Sequence, residues 1–553
     1  MSSLLHQDLP LASRAVPPDA SPAAPSGDAP PARLRALARA LAAAGLALAG
    51  TCGTPVGRAA EPASTTEAPG APATTSSPLD DLAMQKRPVR TRIGFERVRL
   101  PGHEGMGLTG MTELMGVGGD WWAGAGVYGA TTGHRGGLFV PGVELAWSPV
   151  LSDTWALDAG VFAGGGGGAN APVGGGLMLR PHVDLVWRPV PGFFTGPTAS
   201  LVRFAHGGQI SSAQLGWMLG VGSDFDFRFA DALSSRSARG GSGGADALGF
   251  QRIDATLTAY QPRSGATRLD GTPLGRVGLV GMRADRALGE VPWWGIEAAG
   301  AATGGVAGYA EVLGTAGLRW RLPTDRVTLG VRGAMGLGGG GGIDTGGGVL
   351  LKGSGALTLR LTDTLDVTAE AGLAHAPTGH FTARTASLAL DWTLDSASDY
   401  SGVGRESTRM EYVAGVERYD AARRTGGGRP LAAGILSVNR FITPVFYVTG
   451  QAHSAFLGGA GAYSVGLFGV GAQVPVLPRV RLGAEALAGA AGGGGVDTQG
   501  GALVQGRGYV DVALTPTVSF RVGAGRVKSV HGGVNATDVD AALVFRFGVD
   551  RAR

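Results

Sequence analysis

The sequence predicts an all-β chain: a transmembrane antiparallel β-barrel assembled from three repeats of about eight strands each. Three observations carry that reading. A double glycine cluster returns three times along the chain. The residues around each cluster alternate between apolar and polar with a period of two. Nearly all the tryptophans stand at one end of the alternating segments.

Composition removes the competing classes. Glycine makes up 99 of 553 residues, more than twice the usual share of about 7%. At about 1 kcal/mol per helical glycine relative to alanine, a mainly helical protein is excluded. The glycines follow no collagen period. A hydrophobic content of 44% with ten tryptophans is too high for a wholly disordered chain. One cysteine leaves no disulfide scaffold and no cysteine-based metal cluster. A net charge of +4, with its signs well mixed, does not point to nucleic acid.

Residues 1–52 read as an N-terminal extension and export signal. Arg33, Arg35 and Arg39 precede the apolar run Ala40 to Gly50, which is too short to cross a bilayer but suits a signal peptide. The residues ahead of the basic group are unusual for a signal and suggest a start codon placed too early. The run ends Leu48-Ala49-Gly50-Thr51-Cys52, which resembles a bacterial lipoprotein box and marks Cys52 as a candidate lipidation site. Thr51 stands where a smaller residue is usual, and ordinary signal cleavage nearby is the alternative. Residues 53–90, rich in Pro, Ala, Thr and Ser, read as a disordered periplasmic tether.

The three repeats occupy residues 91–230, 250–395 and 408–549. Gly164–Gly168 with Gly174–Gly176 recurs as Gly338–Gly342 with Gly346–Gly348, and again as Gly492–Gly495 with Gly500–Gly501. Gly/Ser/Asp-rich joints at 231–249 and 395–407 separate the copies. After each cluster one face is oily and the other polar. Leu179, Val183, Leu185 and Trp187 stand against Arg180, His182, Asp184 and Arg188 in the first copy. In the second, Leu351, Leu357, Leu359 and Leu361 stand against Lys352, Ser354, Thr358 and Arg360. In the third, Val504, Val510, Val512 and Leu514 stand against Gln505, Arg507 and Asp511. About 18 residues per strand and turn suits the 9–11-residue strands that cross an outer membrane.

Two kinds of turn alternate. Short ones are built from Pro, Thr and Asp, as at Pro149–Asp153, Pro323–Arg326, Pro475–Arg479, Thr362–Thr364 and Thr515–Thr517; longer ones are Gly-rich, as at Thr131–Gly137 and His206–Ser212. Trp121, Trp122, Trp147, Trp155, Trp187, Trp293, Trp294, Trp320 and Trp392 all lie beside short turns, and only Trp217 does not. Indoles sorted to one depth predict an interfacial belt. On these features residues 91–549 resemble the Gram-negative outer-membrane β-barrel class, with no narrower family motif. The resemblance implies outer-membrane lipid as surroundings, insertion by the barrel-assembly machinery, periplasmic termini and Gly-rich loops outside. The class often ends on an aromatic residue; here Phe545 and Phe547 are followed by Gly-Val-Asp-Arg-Ala-Arg.

An even strand number per repeat allows either one barrel of about 24 strands or three eight-stranded barrels. The single barrel is the leading expectation, with a wide lumen that is either open or narrowed by inward-folded loops, for which the penta-Gly hairpins are the candidates. Three small barrels would fill their interiors with side chains. The candidate lumen residues are Arg180, His182, Asp184, Lys352, Arg360, Glu370, Gln505, Arg507, Asp511 and Arg521. Arg180, Lys352 and Gln505 are equivalent, as are His182, Ser354 and Arg507; Glu370 and Arg521 face each other across copies in the strand that follows. In a wide pore they would line water and set ion preference; in small barrels they would pair into a network.

The leading functional expectation is a channel or translocation pore for solute or polymer, with no catalysis and no cofactor. The alternative is a structural or surface-interaction protein of filled barrels. A lipid-modifying enzyme is the third and weakest reading: His206 precedes Ser211 by five residues, and His375, His380 and His531 recur at equivalent hairpins. A period of two does not align His206 with that serine, so duplication of a polar loop explains the histidines better. The poly-Gly segments lack the Lys-Ser/Thr of a phosphate loop. Asp344, Asp497 and Asn170 at their tips offer too few carboxylates for calcium.

Overall fold

The computed structural model describes residues 84–229, 250–324, 326–394 and 407–550. The export segment, Cys52, most of the tether and nearly all of the two joints lie outside the described residues. Alternation of small or branched apolar residues with polar ones produces strands throughout. The first repeat forms β1 (Met84–Arg99), β2 (Gly105–Gly118), β3 (Trp121–Thr132), β4 (Phe139–Trp147), β5 (Trp155–Gly165), β6 (Leu177–Val190), β7 (Phe193–Phe204) and β8 (Ser211–Phe229). The second forms β9 (Arg252–Pro262), β10 (Val277–Ala287), β11 (Pro292–Thr303), β12 (Ala310–Arg321), β13 (Val327–Gly339), β14 (Val349–Arg360), β15 (Leu365–His375) and β16 (Thr382–Thr393). The third forms β17 (Ser407–Ala421), β18 (Arg429–Phe441), β19 (Phe446–Leu457), β20 (Ser464–Leu477), β21 (Val480–Gly492), β22 (Ala502–Ala513), β23 (Val518–Ser529) and β24 (Asn535–Asp550).

Each repeat closes on itself. β1 pairs antiparallel with β8 from Met84↔Arg228 to Glu96↔Gly216, β9 with β16, and β17 with β24. The single 24-stranded barrel is therefore replaced by the three-barrel alternative. The reason is register: the first strand of each copy finds a complete hydrogen-bonding partner in its own eighth strand. Closing locally satisfies every edge without threading across copies. The first strand also begins at Met84, inside the segment expected as tether, because Met84–Pro88 pair with the lower end of β8. That end reaches past β7 and makes a short bridge to the third barrel at Phe547↔Phe229 and Gly548↔Arg228.

The oily face of the sequence is the outer wall. Leu357, Leu359, Val504, Val510 and Val512 are exposed, while the polar residues between them point inward. Each lumen is polar at mid-height and apolar beneath the longer loops. There Val173, Ile343 and Val496 fold from the Gly hairpins onto Phe162, Leu350 and Leu503 of their own barrels. The tryptophan belt is real but incomplete. Trp121, Trp147, Trp155, Trp187 and Trp320 are exposed on the outer wall, whereas Trp122 and Trp293 turn inward. Adjacent residues on a strand face opposite ways, so both members of a Trp-Trp pair cannot join the belt. Trp122 lies 3.6 Å from the Arg90 guanidinium, and Trp293 lies 4.4 and 4.1 Å from those of Arg319 and Arg332.

Candidate functional site: filled lumens around an apolar chamber

Of the residues expected to line a lumen, all but Arg360 lie among charge or hydrogen-bond partners inside their own barrels. In the first barrel Arg180 binds Glu96 at 2.8 Å. His182 lies 3.1 Å from Glu144 and 3.2 Å from Asp184, and Arg92 ties Glu144 and Asp184 together. In the second, Lys352 bridges Glu297 and Glu311, and Glu370 accepts from Arg283 at 2.8 Å and from Arg332 at 3.3 Å. In the third, Arg521 binds Asp511 at 2.6 Å and Glu411 at 3.1 Å. Arg507 binds Glu485 at 2.8 Å, and Gln505 donates to Asp538 at 2.9 Å. Arg360 lies half-buried at the short-turn end of β14. Carboxylates and guanidiniums at this burial are tolerable only because each finds a partner. The small-barrel branch of the expectation is thus the one realised.

The three barrels are joined at their loop ends in a cycle. The β3–β4 loop of the first docks on the Gly hairpin after β13 of the second. The β11–β12 loop of the second docks on the hairpin after β21 of the third. The β19–β20 loop of the third docks on the hairpin after β5 of the first. Gly136 N–H donates to Gly346 O at 2.8 Å, and Gly461 N–H donates to Gly174 O at 3.0 Å in the corresponding joint. A Cβ at Gly137 would lie 2.2 Å from Gly340 N, one at Gly492 2.1 Å from Gly308 N, and one at Gly461 2.3 Å from Gly174 O. Backbone meets backbone with no room for a side chain, so these positions require glycine. Head-to-tail contacts that close after three steps give a ring with pseudo-threefold symmetry inside one chain. The sequence expected these hairpins to narrow a pore; they are the joints between barrels.

Between the barrels lies a half-open chamber of about 2400 Å³ walled by outward-facing residues of all three, among them Val143, Leu145, Met282, Ile296, Leu436 and Val438. Drug-sized sites run to about 1,000 Å³, so this space is larger than a site for one such ligand. Glycines of the three hairpins roof it, including Gly168, Gly340 and Gly493. At the opposite end Phe225, Tyr412 and Phe545 line it, within the aromatic cluster where the first and third barrels meet. Ring centroids there lie 5.3 Å apart for Phe225–Phe547 and 4.9 Å for Tyr412–Phe547. Arg440 of β18 donates to Phe250 O at 2.6 Å, tying the third barrel to the lead-in of the second.

Glu113, which sequence reasoning missed, projects from the outer face of β2 into this chamber. Among the described residues it has no hydrogen bond or ion pair. The available signal was its parity: Met111, Glu113, Met115 and Val117 share one face, so the carboxylate stands on an oily wall. At the loop tips, His206 and His531 are exposed turn residues, and the described residues show no hydrogen bond between His206 and Ser211. His380 lies 2.6 Å from Asp344, whose other oxygen accepts from Gly346 N–H at 3.0 Å. Partial burial would raise the Asp344 pKa, but the His380 bond and the Gly346 amide outweigh it and hold the carboxyl below the usual range.

No family model matches the sequence, and no curated protein does. Among solved structures the chain is similar to the outer membrane channel DcaP of Acinetobacter baumannii, at 10% identity over 84% of this chain and 97% of that one, with a TM-score of 0.20. It is similar to the siderophore receptor PirA of Acinetobacter baumannii at 10% identity, with coverages of 84% and 80% and a TM-score of 0.27. It is similar to the outer membrane protein opdK of Pseudomonas aeruginosa at 9% identity, with coverages of 84% and 98% and a TM-score of 0.20. Superpositions this weak add nothing to the strand pairing described above. Antiparallel closure, apolar outer walls, polar interiors and short turns opposite longer loops define a β-barrel of the outer-membrane class.

Proposed function

We propose that this is a Gram-negative outer-membrane protein that takes up apolar molecules between its barrels and provides their passage. The observation that carries the reading is the apolar chamber of about 2400 Å³ beside three lumens filled with paired charges. Passage of solute or polymer through a wide lumen was tied to the single cylinder; with three filled barrels, a route has to run between them. Both described ends of the chain, Met84 and Asp550, stand at the short-turn end, which supports periplasmic termini. Glu113 would meet the polar end of an amphiphilic cargo, where an unpaired carboxylate on a lipid-facing wall is otherwise costly.

The test is mass spectrometry of organic extracts from protein carried through exhaustive detergent exchange. Wild type retains acyl-chain molecules at fixed stoichiometry. Ala298→Trp with Ala452→Trp, which fill the chamber wall, lose them while keeping the fold. Absence of any retained lipid in wild type contradicts the proposal. It would favour the second reading, a surface-interaction protein of filled barrels, which the lumen networks alone also support.

A further inference from the structure

Cations gather on the outer perimeter of the ring at one height, just below the longer loops, once per barrel. On the first barrel, Arg97 and Arg99 of β1 and Arg203 of β7 flank the exposed face of β8. Arg99 N–H donates to Ser212 Oγ on β8 at 3.0 Å, and Arg203 is opposite Ser211. At about 4.8 Å between strands and 3.4 Å per residue, the Arg203 Cα lies about 12 Å from that of Arg99 and about 17 Å from that of Arg97, spans that long side chains narrow from both sides. On the third barrel, Arg418 of β17 is opposite Val539, while Arg526 and Lys528 of β23 are opposite Thr537 and Asn535. This is the same first-and-seventh-strand arrangement around the eighth. On the second barrel the group sits one strand over. Arg384 of β16 is opposite Gln261, Arg263 follows β9, and Arg276 donates to Gln261 at 3.2 Å.

Among the described residues none of these nine cations is paired with a carboxylate, and none lines the central chamber. That contrasts with the lumens, where charges find opposite partners, so the outer groups serve no internal pairing. Beneath the first two groups the wall is oily, with Leu215 78% exposed and Leu257 63%, and in the third Val539, level with Arg418, is 53% exposed. Trp217, the tryptophan that stands away from the short turns, is 56% exposed below Arg97 and Arg99. It lies opposite Phe95.

We propose that each barrel carries a seat for a phosphate-bearing lipid of the leaflet on the loop side. The cation group would hold the headgroup phosphate and the apolar wall below would hold the acyl chains. Unpaired guanidiniums suit phosphate because their forked donors match its oxygens. An apolar wall continuous with the charged group selects a lipid over a free anion. The proposal requires that the barrels stand in a bilayer, but it is independent of any cargo in the chamber.

The experiment uses the full chain in phosphatidylcholine vesicles containing a spin-labelled phosphatidic acid, and reads the immobilised lipid fraction. Wild type immobilises the phosphatidic acid probe far more than a spin-labelled phosphatidylcholine. Arg97→Gln, Arg99→Gln and Arg203→Gln together weaken the first seat about 100-fold, at about fivefold per cation near an anionic lipid surface. The immobilised excess then falls by about one third. The corresponding triple lysine variant keeps most of it, which separates charge loss from a folding defect. Equal immobilisation in wild type and the triple glutamine variant overturns the proposal, as does displacement of the lipid by millimolar inorganic phosphate. Failure of wild type to insert at all refutes the membrane reading instead.

Discussion

Replacing Arg521 with Met tests whether the lumens are filled or wet. Arg521 is fully buried, binds Asp511 through two nitrogens at 2.6 and 2.9 Å, reaches Glu411 at 3.1 Å, and stacks 3.8 Å from the Tyr509 ring. Methionine fills much of the same volume but leaves Asp511 to Gln473 and Glu411 to Arg409 and Asn439. Removing one partner of a buried pair typically costs about 3–5 kcal/mol, because the other charge stays desolvated. That is about 10² to 10⁴ in the folding equilibrium. Urea unfolding of the barrel in lipid vesicles, followed by tryptophan fluorescence, measures it. Adding Asp511→Leu should recover a good part of the loss, since an apolar pair can replace a buried ionic one at little cost. A loss below about 1 kcal/mol is the behaviour of a solvated pair; it would refute the filled lumen.

Three further outcomes follow from other parts of the molecule. Gly492→Val sets a side chain into backbone 2.1 Å away and should cost about 1–3 kcal/mol, as overpacking does. Spin-label distances between the second and third barrels should broaden while those within each barrel stay narrow, and an unchanged distribution would remove the glycine joint from the account. Brominated lipid should quench Trp320 on the outer wall but spare Trp293, held between Arg319 and Arg332; single-tryptophan variants read this directly. The Asp344 carboxyl is depressed in the folded state. Its support for the Gly346 joint is therefore complete above the ordinary Asp pKa of about 3.9 and fades as pH falls through the lower folded value. Asp344→Asn should abolish the pH dependence of the protection factor at Gly346, taken against the intrinsic exchange rate, and persistence of that dependence would assign it to another group.

Much of the fold was legible because a strand's two faces are written into alternate residues. Lys352 and Leu357 fall on opposite faces whatever surrounds them, and the threefold glycine clusters marked the copies. Barrel number was not legible: an even count of strands returns the chain to its starting side under either closure. What decides is the hydrogen-bonded match of Met84–Glu96 to β8, a long-range register with no local signature. The inward position of Arg521 could be read from parity, but its pairing with both Asp511 and Glu411 could not, since Glu411 lies far away in sequence. Glycine at the hairpins announced close approach without saying to what. The partner, Gly308 against Gly492 or Gly137 against Gly340, belongs to a neighbouring copy and emerges only once the ring is closed.

The most direct test is current through a planar bilayer containing the purified full chain, with insertion confirmed independently by protease protection. Three lumens crossed by ion pairs and a chamber lined mostly with apolar residues should pass no steady ionic current. Large, stable conductance steps would contradict the account and return the search to a wide aqueous lumen.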